Sequence, residues 1–247
     1  MSKYQGSLIH EDYHQLVDKK YILSNNFANT QIQPSSIDLT LSDECYEISA
    51  SFLSPSKNVR EGLKDVMIKK ISLDKKYIFE KNKIYLVKLN EEVNLPNDIF
   101  GFCNPKSSTG RLDIFCRTIL NHNDEYEKIP KNYQGEMFIE ITSRSFDIKF
   151  QEGDSLNQMR LIYNKHVYLS DEYLKEYHSK FFLTLDKNNA KIHPNLNKGL
   201  KISVDLSSEN QINGYIAKKM RLYLYFRTLN VIKKNYIGKN LKFMKKN

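Results

Sequence analysis

Between about Ile32 and Tyr163 the chain is cut into short apolar segments by turn-forming residues, and this spacing limits what it can fold into more than any other feature. The segments are Ile37–Leu41, Tyr46–Phe52, Ile68–Leu73, Ile84–Leu89, Ile99–Cys103, Ile114–Leu120, Glu136–Thr142, Asp147–Phe150 and Leu156–Tyr163. Strands at this density predict a mainly β barrel or sandwich. The cleanest two-residue period sets Met137, Ile139 and Ile141 against Glu136, Phe138 and Glu140, which puts Glu140 opposite the aliphatic stripe. Two short helices flank this region. Ile9, Tyr13, Leu16 and Val17 share one helix face, and Ser170 is an N-cap with Asp171 and Glu172 in the first turn behind it.

With 247 residues, 40% of them hydrophobic and 27% charged, the chain can close a sizeable core, which excludes disorder, collagen and coiled coil. It has neither a stretch of about 18 uninterrupted apolar residues nor a signal-like start, so a soluble cytoplasmic protein without a membrane partner is expected. Cys45, Cys103 and Cys116 are odd in number and never spaced C-x-x-C, which argues for small buried hydrophobes over disulfides or a zinc knuckle. The net charge of +9 raises the question of nucleic acid, but residues 210–247 hold ten Lys or Arg and no acid. Removing those ten from 38 leaves 28 bases against 29 acids, so residues 1–209 carry −1. A solvated basic tail, without specific nucleic-acid binding, is the expectation.

The segment Asn104-Pro105-Lys106-Ser107-Ser108-Thr109-Gly110-Arg111 brackets hydroxyls and a glycine with two cations, a set able to meet a polyphosphate. Its bland alternative is a polar turn capping a short helix. Gly153 through Gln158 reads as a turn into a strand with Gln158 free to hydrogen-bond, and Asp38 as an acid capping a turn near the barrel seam. For Glu140 the bland alternative is an exposed strand carboxylate. Ser36-Ile37-Asp38-Leu39 is echoed by Ser203-Val204-Asp205-Leu206, a weak sign of an internal repeat.

Taken in order, three of these stretches resemble the dCTP deaminases of the dUTPase-like superfamily. Ile32-Gln33-Pro34-Ser35-Ser36-Ile37-Asp38-Leu39 is similar to the family's first motif, Pro105 through Arg111 to its phosphate and catalytic motif, and Gly135 through Glu140 to its catalytic strand. Leu112-Asp113-Ile114-Phe115 and Ile129 through Gly135 look most like the long, two-part bacterial form. The resemblance implies a distorted β-barrel that forms trimers with sites between subunits, and conversion of dCTP with its magnesium to dUTP and ammonia without zinc. The sequence agrees on zinc, since it has neither His-x-Glu nor Pro-Cys-x-x-Cys. By resemblance Glu140 is the general base and proton shuttle, Ser107 positions water and the exocyclic amine, and Arg111 orients Glu140. Lys106, Ser108 and Gln158 are then the substrate-binding residues, and dUTP or dTTP are further possible ligands.

The family pattern also divides the chain. Residues 1–165 form the dUTPase-like barrel, 166–198 a helical linker, and 199–247 the truncated start of a second half plus the basic tail. Gly199 through Leu206 and Gly214 through Lys219 look like the opening of that half, whereas Met220–Asn247 has the composition of an altered reading frame. An incomplete second half would impair activity. Two other readings compete: a dUTP diphosphatase-like hydrolase, and a non-catalytic nucleotide- or nucleic-acid-binding relic. The first is weakened because single-domain relatives carry an aspartate where this chain has Pro130, with Glu127 nearby.

Overall fold

The computed structural model describes residues 5–186 and 188–203, with the backbone of 224–225. In chain order its elements are β1 (Gly6–Ser7), α1 (His10–Asp18), β2 (Ile22–Leu23), a 3-10 turn (Asn29–Gln31), β3 (Ile32–Gln33), β4 (Ser36–Leu39), β5 (Leu41–Ile48), α2 (Val59–Val66), β6 (Met67–Ser72), β7 (Tyr77–Phe79), β8 (Ile84–Asn94), β9 (Ile99–Pro105), α3 (Ser107–Gly110), β10 (Ile114–Leu120), β11 (Lys128–Ile129), β12 (Gln134–Ser143), β13 (Ile148–Phe150), β14 (Asn157–Tyr163), α4 (Asp171–Phe181) and β15 (Leu224–Tyr225). The fold is mainly β, a distorted jelly-roll-like arrangement of antiparallel sheets. One sheet runs β11-β9-β14-β4-β3 with β1 on β14, a second runs β10-β12-β8-β5-β6 with β2 on β8, and a small third runs β15-β13-β7. The inward faces of the first two meet in one core that includes Ile37, Leu39, Val87, Leu89, Ile139 and Ile141. Among the described residues no helix is long and apolar enough to cross a membrane.

The chain leaves the first sheet for the second at Thr40, so the segments expected at Ile37–Leu41 and Tyr46–Phe52 are instead β4 and β5. The cause is a buried acid. Glu91 accepts hydrogen bonds from the Thr40 amide (2.8 Å) and hydroxyl (2.7 Å), and from the Gln31 side chain (2.7 Å). The same Gln31 amide donates to the Asp38 carbonyl at 2.8 Å. Ala50–Phe52 fall beyond β5 because Ser49 turns its N–H to the Val66 carbonyl.

Helix α2 was not expected. Its first backbone donors are met partly by Glu61, whose carboxylate accepts from the Asn58 N–H at 3.1 Å. It buries Val59, Gly62 and Leu63 against the second sheet. A second small core results, made of Tyr46, Ile48, Val59, Leu63, Leu86, Ile119 and Phe138. Strand β12 is therefore buried on both faces, Met137, Ile139 and Ile141 inward and Phe138 under α2, where alternation alone predicts a polar outer face. Arg60 of α2 fastens the helix down, since its guanidinium bonds Glu136 at 2.9 and 2.8 Å and Glu44 at 2.5 and 3.0 Å.

By contacts the chain forms two units. Met1–His166 with Ala217–Leu241 make the first and Val167–Ile216 with Lys242–Asn247 the second. In the first unit β15 pairs in parallel with β13. In the second, the Ser170 hydroxyl accepts from the Tyr173 N–H at 3.2 Å and so caps α4, while Asp171 accepts from the amides of Lys198 and Gly199. The echo at 204–206, the stretch 214–219 and the tail, apart from the β15 backbone, lie outside the described residues.

The Arg60 guanidinium holds the Glu136 carboxyl below the usual carboxylate range. Its stabilisation is present above the ordinary carboxylate pKa and lost as pH falls through the depressed value. We therefore expect Arg60→Met to lower the denaturant midpoint at neutral pH, and the gap from the unmodified protein to narrow in acid. Equal gaps at both pH values in urea titrations would show that Arg60 acts by packing alone.

Candidate active site

At the end of β9 the chain is pinned to the start of β14. The Lys106 amide and the buried Thr109 hydroxyl both donate to the Leu156 carbonyl, at 2.9 and 2.8 Å. This forces Ser107–Gly110 into a single helical turn that leaves Ser107, Gly110 and Arg111 exposed and Ser108 half-buried. The expected short helix is present, with the Thr109 hydroxyl turned inward and the Ser107 and Arg111 side chains exposed. Arg111 reaches back to the Ser107 hydroxyl at 3.5 Å.

The Lys106 ammonium is ion-paired with Asp38 and lies 3.5 Å from the Ser155 hydroxyl. Asp38 is buried in the middle of β4, not capping a turn, and its Oδ1 has no hydrogen-bond partner. In the register of the first sheet Gln158 stands directly between Asp38 and Asn104, and its side-chain oxygen accepts from the Ser36 hydroxyl at 3.2 Å. Lys106, Asp38 and Gln158 thus form one polar group. Beside it opens a cleft of about 490 Å³ lined by Gln31, Asp38, Thr40, Asn90 and Ser155 among others.

Glu140 stands on the second sheet and is 5% exposed, so the bland reading of a solvent-facing carboxylate does not hold. Opposite it across the β10–β12 ladder is Arg117, whose Nη2 lies 2.5 Å from Oε1. Arg117 is held in turn by the Ser51 hydroxyl at 3.1 Å and by the Tyr126 ring, 4.1 Å below the guanidinium carbon. Oε2 of Glu140 is buried and has no partner. Within one chain the arginine that meets Glu140 is Arg117, and among the described residues no hydrogen bond or ion pair joins Glu140 to Ser107 or Arg111. Sequence reading missed Arg117 because its partner is 23 residues away and is set by strand register alone. Register could have shown it, since the two residues sit at matched outward positions of neighbouring strands.

A second carboxylate lies close by. Glu127 accepts from the Thr118 N–H at 2.9 Å, and burial pushes its carboxyl up to about 7 against the pull of that N–H and of Arg117. The three cysteines are free and buried, and burial raises their thiols, that of Cys103 to about 12, so none is a nucleophile at neutral pH.

A one-sided hydrogen bond to a buried carboxylate leaves the other oxygen to accept a proton, and the exposed hydroxyls and cations of residues 106–111 suit an anionic substrate. The profile of the 2'-deoxycytidine 5'-triphosphate deaminase (DCD) N-terminal domain matches residues 4–165. The dCTP deaminase of Acidianus ambivalens is 23% identical over 137 residues, which cover 56% of this chain and 72% of that protein. A protein of Methanosphaera stadtmanae described as dCTP deaminase, dUMP-forming, is 27% identical over 139 residues, 54% of this chain and 66% of that one. The crystal structure of 2'-deoxycytidine 5'-triphosphate deaminase from Agrobacterium tumefaciens superposes with a TM-score of 0.85 at 29% identity, covering 98% of this chain and 72% of that chain. With the profile spanning most of the chain, the protein belongs to the dCTP deaminase family.

Proposed function

We propose that the protein hydrolyses dCTP to dUTP and ammonia in the cytoplasm, with Glu140 as the group that moves the proton. The observation that carries this reading is the state of Glu140: buried, gripped on one oxygen by Arg117, and unpartnered on the other. Water attacks C4 of the cytosine ring as Glu140 Oε2 takes its proton, and the C4–N bond breaks as that proton passes to the departing amine. One water is consumed and one ammonia released. Ser107 orients the water and the amine, and Arg111 stabilises charge near the reacting ring. Lys106, Ser108 and Gln158 bind the triphosphate end of the substrate, which brings magnesium with it. A lysine ammonium has three protons, so Lys106 can keep Asp38 and still donate to a phosphate oxygen.

Because among the described residues no hydrogen bond or ion pair joins Glu140 to Ser107 or Arg111, the reading includes assembly of the chain as a homo-oligomer, a trimer, in which the 106–111 turn of one copy faces Glu140 of the next. The residues named all lie within 1–165, which makes that stretch the catalytic domain, followed by a helical linker over 166–198.

Two substitutions test the assignment. Glu140→Gln keeps the shape but cannot accept a proton, so ammonia release should fall by about 10²–10⁴-fold while dCTP affinity, read by calorimetry, stays nearly constant. Unchanged turnover would remove Glu140 from the chemistry. Arg111 is exposed, so Arg111→Ala should leave the thermal midpoint in place and cut kcat/KM by roughly 10²-fold. A lowered midpoint with activity per folded molecule preserved would make Arg111 structural. Chromatography of the products separates the readings: uracil nucleotide formed from dCTP marks a deaminase, whereas dUMP formed from dUTP with dCTP left intact marks a diphosphatase.

A further inference from the structure

We propose that Glu127 sets how firmly Arg117 holds Glu140, and is thus a positioning residue for the reaction. The inference rests on the deaminase reading of Glu140 and extends it to a residue that touches no substrate. Glu127 has a backbone φ of 67°, in the left-handed region, a conformation unfavourable for a residue with a side chain. Two main-chain bonds hold it there: its N–H donates to the Thr118 carbonyl at 3.0 Å, and its own carbonyl accepts from Cys103 at 2.7 Å. This geometry turns the side chain back over β10, the outer strand of its sheet, where Oε1 caps the free Thr118 N–H. The other oxygen, Oε2, is buried with no partner, an arrangement that suits a neutral acid and penalises a carboxylate.

The groups that act on Glu127 come from each element around it. From β10 there is Arg117, the residue before Thr118, and from β10 and β9 the thiols of Cys116 and Cys103, which burial keeps neutral. From its own loop comes Tyr126, whose phenol is also raised and neutral, under the Arg117 guanidinium. From β12, Glu140 faces it through Arg117. Arg117 is ion-paired with Glu140 and is also attracted by Glu127, whose Oε1 accepts from the N–H of the next residue along β10. While Glu127 is neutral, the guanidinium belongs to Glu140. Once Glu127 ionises, two anions compete for a side chain that is 43% exposed and able to shift, and Glu140 loses its fixed orientation. Burial places the Glu127 transition at about 7, so the aligned state exists below that pH and is lost as pH rises through it.

The test uses the full chain. For the unmodified protein we expect kcat for dCTP to fall by about tenfold between pH 6 and 8, as one ionisation, with KM steady to about twofold. Glu127→Gln keeps an acceptor for Thr118 and cannot ionise, so its kcat should stay flat over that range at the level the unmodified protein shows in acid. The same fall in Glu127→Gln would overturn the proposal, because a mere cap on the strand edge gives identical profiles. A measurement that needs neither the variant nor catalysis follows the Glu127 carboxyl carbon and the Arg117 Nε resonance by NMR. Both should titrate together near 7. A Glu127 midpoint near the ordinary value of about 4.3, or an Arg117 resonance that ignores it, would sink the idea. A chain that titrates in this way yet leaves dCTP untouched would instead show that the deaminase reading has failed.

Discussion

One buried carboxylate, Glu91, holds the chain where it crosses from the first sheet to the second. It is fully buried, and burial raises its pKa, while the Thr40 amide and hydroxyl and the Gln31 side chain pull it back. Three donors on a group shut away from water form a local constraint with no cheap alternative, because each hydrogen bond lost there is not replaced by one to water. On one side of the corner Asp38 is fixed in β4 and can reach Lys106. On the other, β5 enters its pairing with β8, the strand that also carries β12. Both parts of the candidate site thus descend from the same turn in the backbone.

The parts differ in how they are held. Residues 106–111 are anchored through Leu156 and expose their functional atoms, which suits binding a large anion from solvent. Glu140 is buried on β12 between the neighbouring strands β8 and β10, which suits proton transfer away from bulk water. Helix α2 is tied down over this second sheet by Arg60 between Glu44 and Glu136, a strapping of charges around a small apolar core.

Much of this was legible in the sequence, for a definite reason. Segments whose fate depends on their own alternation came through well: Ile114–Leu120 is β10 to the residue, and Ser170 caps α4 as expected. The corner at Thr40 was not legible because the acid that makes it lies 51 residues further on. Helix α2 was hidden because Val59 and Leu63 are its chief apolar contacts, diluted by Gly62 and charged neighbours. The motif around Lys106–Arg111 and the acid at 140 could be read as candidates by their types and order. Which arginine meets Glu140 could not, because Arg117 reaches it through register, and Lys106 gave no sign that Asp38 would claim it.

The central claim is that Glu140 offers a free oxygen to the substrate while Arg117 keeps the other. The most direct measurement is a crystal structure of the full chain with dCTP and magnesium, using Glu140→Gln to stall turnover. The account predicts the side chain at position 140 still paired with Arg117 through one end, and its other end within hydrogen-bond distance of a water beside C4. A nucleotide ring bound away from position 140, or Arg117 turned to the phosphates and released from it, would contradict the account.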